Sequence, residues 1–319
     1  MTGNPSALAS HAPLGDSGLE VFRLCLGGNV FGWTADQADS FAVLDAYLAG
    51  GGNFIDTADV YCAWDPGNVG GESETIIGDW AASRGVRDEL VIATKVGKWA
   101  PRRGLHPANI AAALEDSLTR LRTDHVDLYY AHAEDPETPL EDSLRAFDAL
   151  VREGKARAIG LSNFSARSIE RALEICAREH LARPVAIQPN YSLVARDQAD
   201  ILALCEREQL ACIPYYALAS GFLTGKYRPG TAVDSPRSGR AARFLENRHA
   251  AGLLRALDEI AAAHSTTLAA VAIAWLREQP GVLAPIASAR TTRQLAEILP
   301  GATLQLDGGQ LTRLSAAWS

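Results

Sequence analysis

Four residues of this chain have the types and spacing to move a proton. Asp56 and Tyr61 stand five residues apart in "NFIDTADVY" (53–61), Lys95 closes in on the end of "LVIATKV" (90–96), and His132 terminates "VDLYYAH" (126–132). A free phenol, with a pKa near ~10, is a poor acid at neutral pH. A neighbouring ammonium stabilises the phenolate and lowers that value. Lys95 can supply the charge, and Asp56 can keep Lys95 charged and aimed. Tyr61 then becomes a general acid toward a developing alkoxide, with His132 donating a hydrogen bond that orients the substrate oxygen. Such a group protonates a carbonyl oxygen as hydride reaches the carbon. None of the four can supply hydride, so the arrangement implies a nicotinamide cofactor.

Taken singly, each residue has a plainer reading. An aspartate at a strand end is usually a turn or cap residue, a lysine there usually reaches solvent, and one histidine after an apolar run is usually structural. Their convergence from three successive strand ends favours the functional reading.

The elements that must position them alternate. Short apolar runs at 24–30, 53–58, 90–96, 126–132, 156–162, 185–192, 210–217 and 282–288 are separated mostly by helical patterns. In "PANIAAALEDSLTRLR" (107–122), Ile110, Leu114, Leu118 and Leu121 recur on one helical face. Thr138-Pro139-Leu140-Glu141 reads as a capping box with proline at the first helical position, and Gly154 as the stop. Strands alternating with helices imply a parallel sheet. Eight such units predict an α/β chain folded as a single (β/α)8 TIM barrel over 1–319, with residues 1–15 as a partly ordered N-terminal extension. An open doubly wound sheet is disfavoured because no strand leads into G-x-G-x-x-G, and no Walker loop is present. The segment 219–248 is the longest irregular stretch and reads as a large functional loop after the seventh strand.

Composition narrows the partners. The chain is 47% hydrophobic and 21% charged with a net charge of −8, which argues against a nucleic-acid footprint. No apolar run approaches the ~20 residues of a membrane span, and the N-terminus lacks a signal-peptide pattern. Five widely spaced cysteines without a C-x-x-C pair fit reduced thiols in a cytoplasm. Nothing near Cys62 would activate it as a nucleophile. A monomer or weak homo-oligomer is expected.

The polar residues at the other strand ends extend the site: Ser162 and Asn163, Gln188, Tyr215 and Ser288. Together with these residues, "FIDTADVY", "GESETIIG", "VIATKVG", "DLYYAH", "IGLSNFS", "IQPNYSLV", "YYALASGFLTGKY" and "PIASARTTRQL" resemble, in order, the motifs of the aldo-keto reductases. The opening "LGDSGLEVFRLCLGG" is similar to that family's N-terminal β-hairpin, which plugs the barrel floor. The resemblance covers nearly the whole chain. It implies NADPH-dependent reduction of a small carbonyl substrate, with Asp56, Tyr61, Lys95 and His132 as the catalytic tetrad. It further implies that Gly28, Asn29 and Asp56 border the cofactor. Ser162, Asn163 and Gln188 would hold the nicotinamide carboxamide, and Tyr215 would stack on its ring. Leu218, Ser220, Gly221, Leu223 and Lys226 would cover the pyrophosphate. Ser288, Arg290 and Gln294 would meet the adenosine end, Arg290 reading the 2′-phosphate.

The chain departs from the family in three places. Ser288 stands where Gly is common, Ile298 where an Asn often meets adenine, and "PYYA" replaces "AYSP", which bears on NADPH-over-NADH preference. Trp33, Trp64 and Trp99 are expected to rim the mouth and select an aromatic, aliphatic or sugar-like carbonyl over a charged one. Two rival readings are a regulatory member of the family like the potassium-channel β-subunits, and a barrel aldolase with Lys95 as Schiff base. The first lacks a recognisable docking segment, and the second needs an unprotonated lysine beside an aspartate that would keep it charged.

Overall fold

The computed structural model describes residues 10–231 and 233–319. Two strands, β1 (His11–Pro13) and β2 (Glu20–Phe22), pair antiparallel as a hairpin. Eight parallel strands follow: β3 (Cys25–Gly27), β4 (Phe54–Asp56), β5 (Val91–Val96), β6 (Val126–Ala131), β7 (Ala156–Ser162), β8 (Pro184–Gln188), β9 (Ala211–Cys212) and β10 (Ile286–Ala287). They pair in chain order with β10 returning to β3. The ring closes through single backbone bonds: the Leu283 amide donates to Cys212 O at 2.9 Å and the Ile286 amide to Pro214 O at 2.8 Å. This is the expected (β/α)8 barrel. The seventh and eighth strands are shorter than the apolar runs at 210–217 and 282–288 because Pro214 and Pro285 have no amide hydrogen to donate.

Helices α1 (Gln37–Ala49), α2 (Glu72–Arg84), α3 (Pro107–Leu121), α4 (Leu140–Arg152), α5 (Ala166–Glu179), α6 (Ala199–Arg207), α7 (Ser238–Leu245), α8 (Ala250–Ala263), α9 (Leu268–Arg277), α10 (Thr292–Ile298) and α11 (Gly308–Ala316) surround the strands. Strand alternation splits the apolar residues into two cores. Ile92 and Tyr129 face outward and join the layer beneath the helices. Ala93, Leu128 and Tyr130 belong to the inner cluster that fills the barrel. That filling is tight: a Cβ at Gly160 would lie 2.4 Å from the Tyr130 ring, so β7 passes Tyr130 only as glycine.

The hairpin seals the floor. Leu14, Leu19 and Val21 belong to the inner cluster, and the turn at Gly15 packs against Val185 at the start of β8. Its first arm begins at His11, inside the expected extension 1–15, of which residues 1–9 lie outside the described residues.

Two local expectations are corrected. The Thr138 capping box does not form: α4 starts at Leu140, and the Thr138 hydroxyl donates instead to Asp135 Oδ2 at 2.7 Å. Asp135 also takes the Leu105 and Glu137 amides, so it gathers the local donors that a cap would otherwise use. The segment 219–248 is not wholly irregular, since it holds a 3-10 turn (Ala219–Thr224) and α7. Gly154 does stop α4, at φ +75°. Among the described residues no single helix is long and apolar enough to cross a membrane.

Candidate active site

β4 delivers Asp56 to the carboxyl end of the barrel, and β5, paired with it in parallel, delivers Lys95. Lys95 Nζ lies 2.7 Å from Asp56 Oδ2, 2.7 Å from the Thr57 carbonyl and 2.8 Å from Tyr61 Oη. The Tyr61 hydroxyl is also 3.0 Å from Asp56 Oδ2, and Gln188 Nε2 donates to Asp56 Oδ1 at 2.8 Å. Two of the three lysine partners, the carboxylate and the carbonyl, can only accept, so Nζ must donate to them. His132, at the end of β6, places its ring 6.2 Å from the Tyr61 ring. The structure thus brings all four residues together, with Lys95 and Asp56 almost wholly buried.

The electrostatics differ from the simple expectation. Burial first, then the Asp56 charge and its hydrogen bond, push the Tyr61 phenol well above the ordinary tyrosine value. The expectation that Lys95 leaves the free phenol acidic is therefore corrected. Asp56 already balances the ammonium, so the phenol meets a neutral pair inside a dry wall. Burial also lowers Lys95, with Asp56 opposing. Burial, then Lys95 and Lys98, hold His132 well below its usual range, so its imidazole is neutral, and among the described residues its Nδ1 has no partner.

The loop that carries Tyr61 is pinned from below. Cys62 adopts φ +74°, and its thiol donates to Phe31 O at 3.0 Å. Its thiol is pushed up to about 12, chiefly by burial, which leaves no reactive thiolate. All five cysteines are free and buried.

Of the residues expected at the cofactor, several are engaged within the protein. Asn163 Nδ2 donates to His132 O at 2.8 Å and to Ser162 Oγ at 2.9 Å, while Asn163 Oδ1 accepts from Tyr215 Oη at 2.7 Å. Ser288 Oγ meets Asn29 Oδ1 at 2.7 Å, and Gln294 Oε1 accepts the Arg290 amide at 2.9 Å. Gly28 has a packing reason of its own, because a Cβ there would sit 2.7 Å from Ser73 Oγ. Leu223 is buried in the outer core, leaving only its backbone for a ligand. Leu218, Ser220, Gly221 and Lys226 lie in or beside the turn after β9, where Tyr216, Ala219, Ser220 and Gly221 all take positive φ. Such strain persists where surroundings impose it and marks ligand clamps.

Sequence reasoning missed three residues. Arg237, just before α7, lies 5.3 Å over the Trp33 ring and feels the like charges of Arg290 and Arg240. Among the described residues none of these three arginines has a carboxylate partner. Asp59 is buried with neither carboxylate oxygen hydrogen-bonded, and burial followed by Glu74 pushes it up to about 8. Lys98 follows Lys95 out of β5 and adds positive charge beside His132. Gly and Pro content marked the loop of Arg237, but nothing in a sequence marks a missing counter-ion. Among the described residues no group of His, Cys, Asp and Glu could hold a metal.

The tryptophans divide. Trp64 packs edge-on against Trp33 at 5.6 Å and against Tyr61 at 6.1 Å, and it is 47% exposed, so these two form one aromatic wall of the mouth. Trp99 is used differently: its Nε1 donates to Val69 O at 2.7 Å and fastens the loop after Tyr61.

Comparison with known proteins follows the same lines. A sequence model of the aldo/keto reductase family matches residues 23–319. "Uncharacterized oxidoreductase YrpG" of Bacillus subtilis (strain 168) is 34% identical over 92% of this chain and 91% of its own length. "Norsolorinic acid reductase stcV" of Emericella nidulans is 33% identical over 91% of this chain and 77% of its own. "Probable voltage-gated potassium channel subunit beta" of Oryza sativa subsp. japonica is 34% identical over 89% and 88%.

Proposed function

Since this chain belongs to the aldo/keto reductase family and is an oxidoreductase of that kind, we propose that it reduces an aldehyde or ketone to the alcohol, using NADPH. The single observation that carries the reading is the ammonium of Lys95 touching both Asp56 and Tyr61 at the barrel mouth. When bound, NADPH supplies the hydride.

The chain's own residues do the rest. His132, neutral, donates one hydrogen bond that aims the carbonyl oxygen at Tyr61. The raised phenol pKa keeps Tyr61 protonated across the neutral range, so the acid is loaded before reaction. As negative charge grows on the oxygen, Tyr61 gives up its proton, and the Lys95 ammonium at 2.8 Å stabilises the phenolate left behind. Asp56 holds Lys95 in place. Hydride on carbon and proton on oxygen complete the alcohol. A Schiff-base role for Lys95 is disfavoured because the Asp56 carboxylate at 2.7 Å favours the charged ammonium, which has no lone pair to offer.

The dinucleotide site is read from the strand ends. Ser162, Asn163 and Gln188 would face the carboxamide and Tyr215 the ring, with the strained turn at 216–221 over the pyrophosphate. The arginine cluster suits phosphate chemistry, with Arg290 on the 2′-phosphate and Arg237, just before α7, close enough to feel its charge. Ile298 is buried in the outer core, so the adenine gains no polar partner from that position. The aromatic wall of Trp33 and Trp64 favours an uncharged aromatic, aliphatic or sugar-like carbonyl; a screen in which small anionic keto acids turned over best would overturn that selectivity. We place the enzyme in the cytoplasm as a single-domain monomer or weak homo-oligomer. The rice relative's description raises a regulatory reading, and the intact contact of Asp56, Lys95 and Tyr61 favours the catalytic one.

Tyr61→Phe tests the mechanism. NADPH consumption with a panel of aldehydes should fall by about 10²–10⁴-fold, the share of one general acid, while NADPH affinity by fluorescence titration stays near wild type. Turnover equal to wild type would remove the acid from the mechanism.

A further inference from the structure

The helix α7 joins Arg237, beside Trp33, to the turn after β9 with little to hold it. It is eight residues long, has no side-chain cap and buries only Ala241. A helix of that length is not stable alone in water, so tertiary contacts must fix it. At its start Arg237 lies over Trp33. At its end Phe244 stacks on Phe222, centroids 5.2 Å apart and planes at 24°, and contacts Tyr216 at 6.5 Å. Both partners belong to the positive-φ turn after β9 or flank it.

The fourth member of this aromatic cluster comes from the far end of the chain. Trp318 meets Phe222 at 5.9 Å, Phe244 at 6.2 Å and His249 at 6.5 Å. It is therefore in contact with the turn, with α7 and with the residue that leads into α8. Its own base is fixed. The Arg196 guanidinium donates to Ser315 O at 2.6 Å and Leu314 O at 3.3 Å, and Trp275 Nε1 donates to Ser315 Oγ at 3.0 Å. Leu314 is wholly buried. The barrel body thus grips α11, and α11 presents Trp318 to α7.

We propose that Trp318 is a positioning residue that clamps α7 against the strained turn and thereby sets how fast a bound dinucleotide leaves. The second half of this statement rests on the reductase reading above, and the first half does not. Tyr216 is what makes the clamp particular to this chain, because the departure "PYYA" supplies an aromatic ring where the resemblance calls for serine. With α7 released, Arg237 leaves Trp33 and the arginine cluster loses its outer member.

The test uses full-length protein in two arms. In the first, unliganded wild type, Trp318→Ala, Trp318→Phe and Phe244→Ala are digested with limiting trypsin, and cleavage after Arg237, Arg240 and Arg243 is followed by mass spectrometry. Trp318→Ala and Phe244→Ala should be cut there about tenfold faster, in keeping with the loss of one or two aromatic pairs, and Trp318→Phe should behave as wild type. In the second, NADPH release is timed by stopped-flow fluorescence. Release should quicken about tenfold in both alanine variants, raising the KM for NADPH without lowering the rate at saturating NADPH, again with rescue by phenylalanine. Wild-type cleavage and release in Trp318→Ala and Phe244→Ala, with circular dichroism unchanged, would overturn the clamp. If wild type failed to bind NADPH, the reductase reading would fall while the tryptic arm still decided the clamp. Should Trp318→Ala misfold, Phe244→Ala tests the same contact from the α7 side.

Discussion

The strand β5 meets two buried carboxylates, one on each face and each paired with a cation, and their difference separates the barrel mouth from the outer layer. Lys95 points into the barrel mouth and pairs with Asp56; the preceding residue, Thr94, points outward and donates to Glu74, which pairs with Arg120 from α3 at 2.6 Å. Both carboxylates are buried. Glu74 is satisfied by an arginine and a hydroxyl that belong to fixed helices and strands, and nothing in that cluster is left to act on a ligand. Asp56 is satisfied by Lys95, Tyr61 and Gln188, and through them it reaches groups at the open mouth. A buried pair in the outer layer fixes how helices seat on the barrel. The same kind of pair one residue further on holds the Tyr61 hydroxyl at the open mouth.

Between the two lies Asp59, a carboxylate that has no ion-pair partner among the described residues. Its amide donates to Lys95 O at 3.2 Å, so it is fixed in place beside β5 without a charge to match it. Burial and Glu74 keep it protonated in the neutral range, with Arg120 and Lys95 opposing.

Breaking the inner pair should have the largest effect. Lys95→Met leaves Asp56 buried and uncompensated, which costs about 3–5 kcal/mol. It also removes the charge behind Tyr61, for a fall of about 10²–10⁴-fold in turnover. Urea unfolding and single-turnover reduction measure the two. Breaking the outer pair should cost stability without chemistry. Glu74→Gln is expected to lose about 3 kcal/mol, with turnover per folded molecule unchanged, since it is buried against Thr94 and Arg120 on the face of β5 opposite Lys95. A comparable loss of turnover in Glu74→Gln would erase the distinction between the faces.

Asp59 sharpens the comparison with a sign of its own. Its folded value is raised from 3.8 to about 8, so its penalty is absent below pH 3.8, grows between those values and is complete above pH 8. That gap bounds the cost at on the order of 5 kcal/mol. Allowing for relaxation, Asp59→Asn should stabilise the fold by about 2 kcal/mol at pH 8.5, and the gain should vanish at pH 4, as read from melting temperatures across pH. Arg290→Ala should raise the KM for NADPH about tenfold, the scale of one charge-assisted contact, and leave that for NADH nearly unchanged; equal effects would remove the 2′-phosphate role. Trp99→Phe gives the smallest effect. It loses one hydrogen bond, about 1 kcal/mol, and should not alter the KM for any carbonyl, in contrast to Trp64→Ala.

Much of the site was legible because its residues sit at strand ends. A parallel strand has a fixed direction, so the last polar residue of each apolar run reports where it emerges. Asp56, Lys95 and His132 were found that way, and Tyr61 by its distance from Asp56. The outward-facing Glu74 was not found, because a glutamate early in a helix has an ordinary place at the helix N-terminus. Arg237 sat in a stretch read as loop, and its helix α7 was hidden for a physical reason: eight residues with one buried position carry almost no periodic signal.

By itself the sequence determined the alternation of the eight strands with most of the helices, the end of the barrel at which Asp56, Lys95 and His132 emerge, and their grouping with Tyr61. Those follow from local periodicity and from the two-residue repeat of a strand. Only the tertiary structure decided the direction of the Tyr61 pKa, the isolation of Asp59, the different uses of Trp64 and Trp99, and the meeting of Trp318 with Phe222 and Phe244. Each of those depends on what is excluded from, or brought into, a few ångströms around one group by segments far apart in the chain, and water that leaves a site has no letter in the sequence.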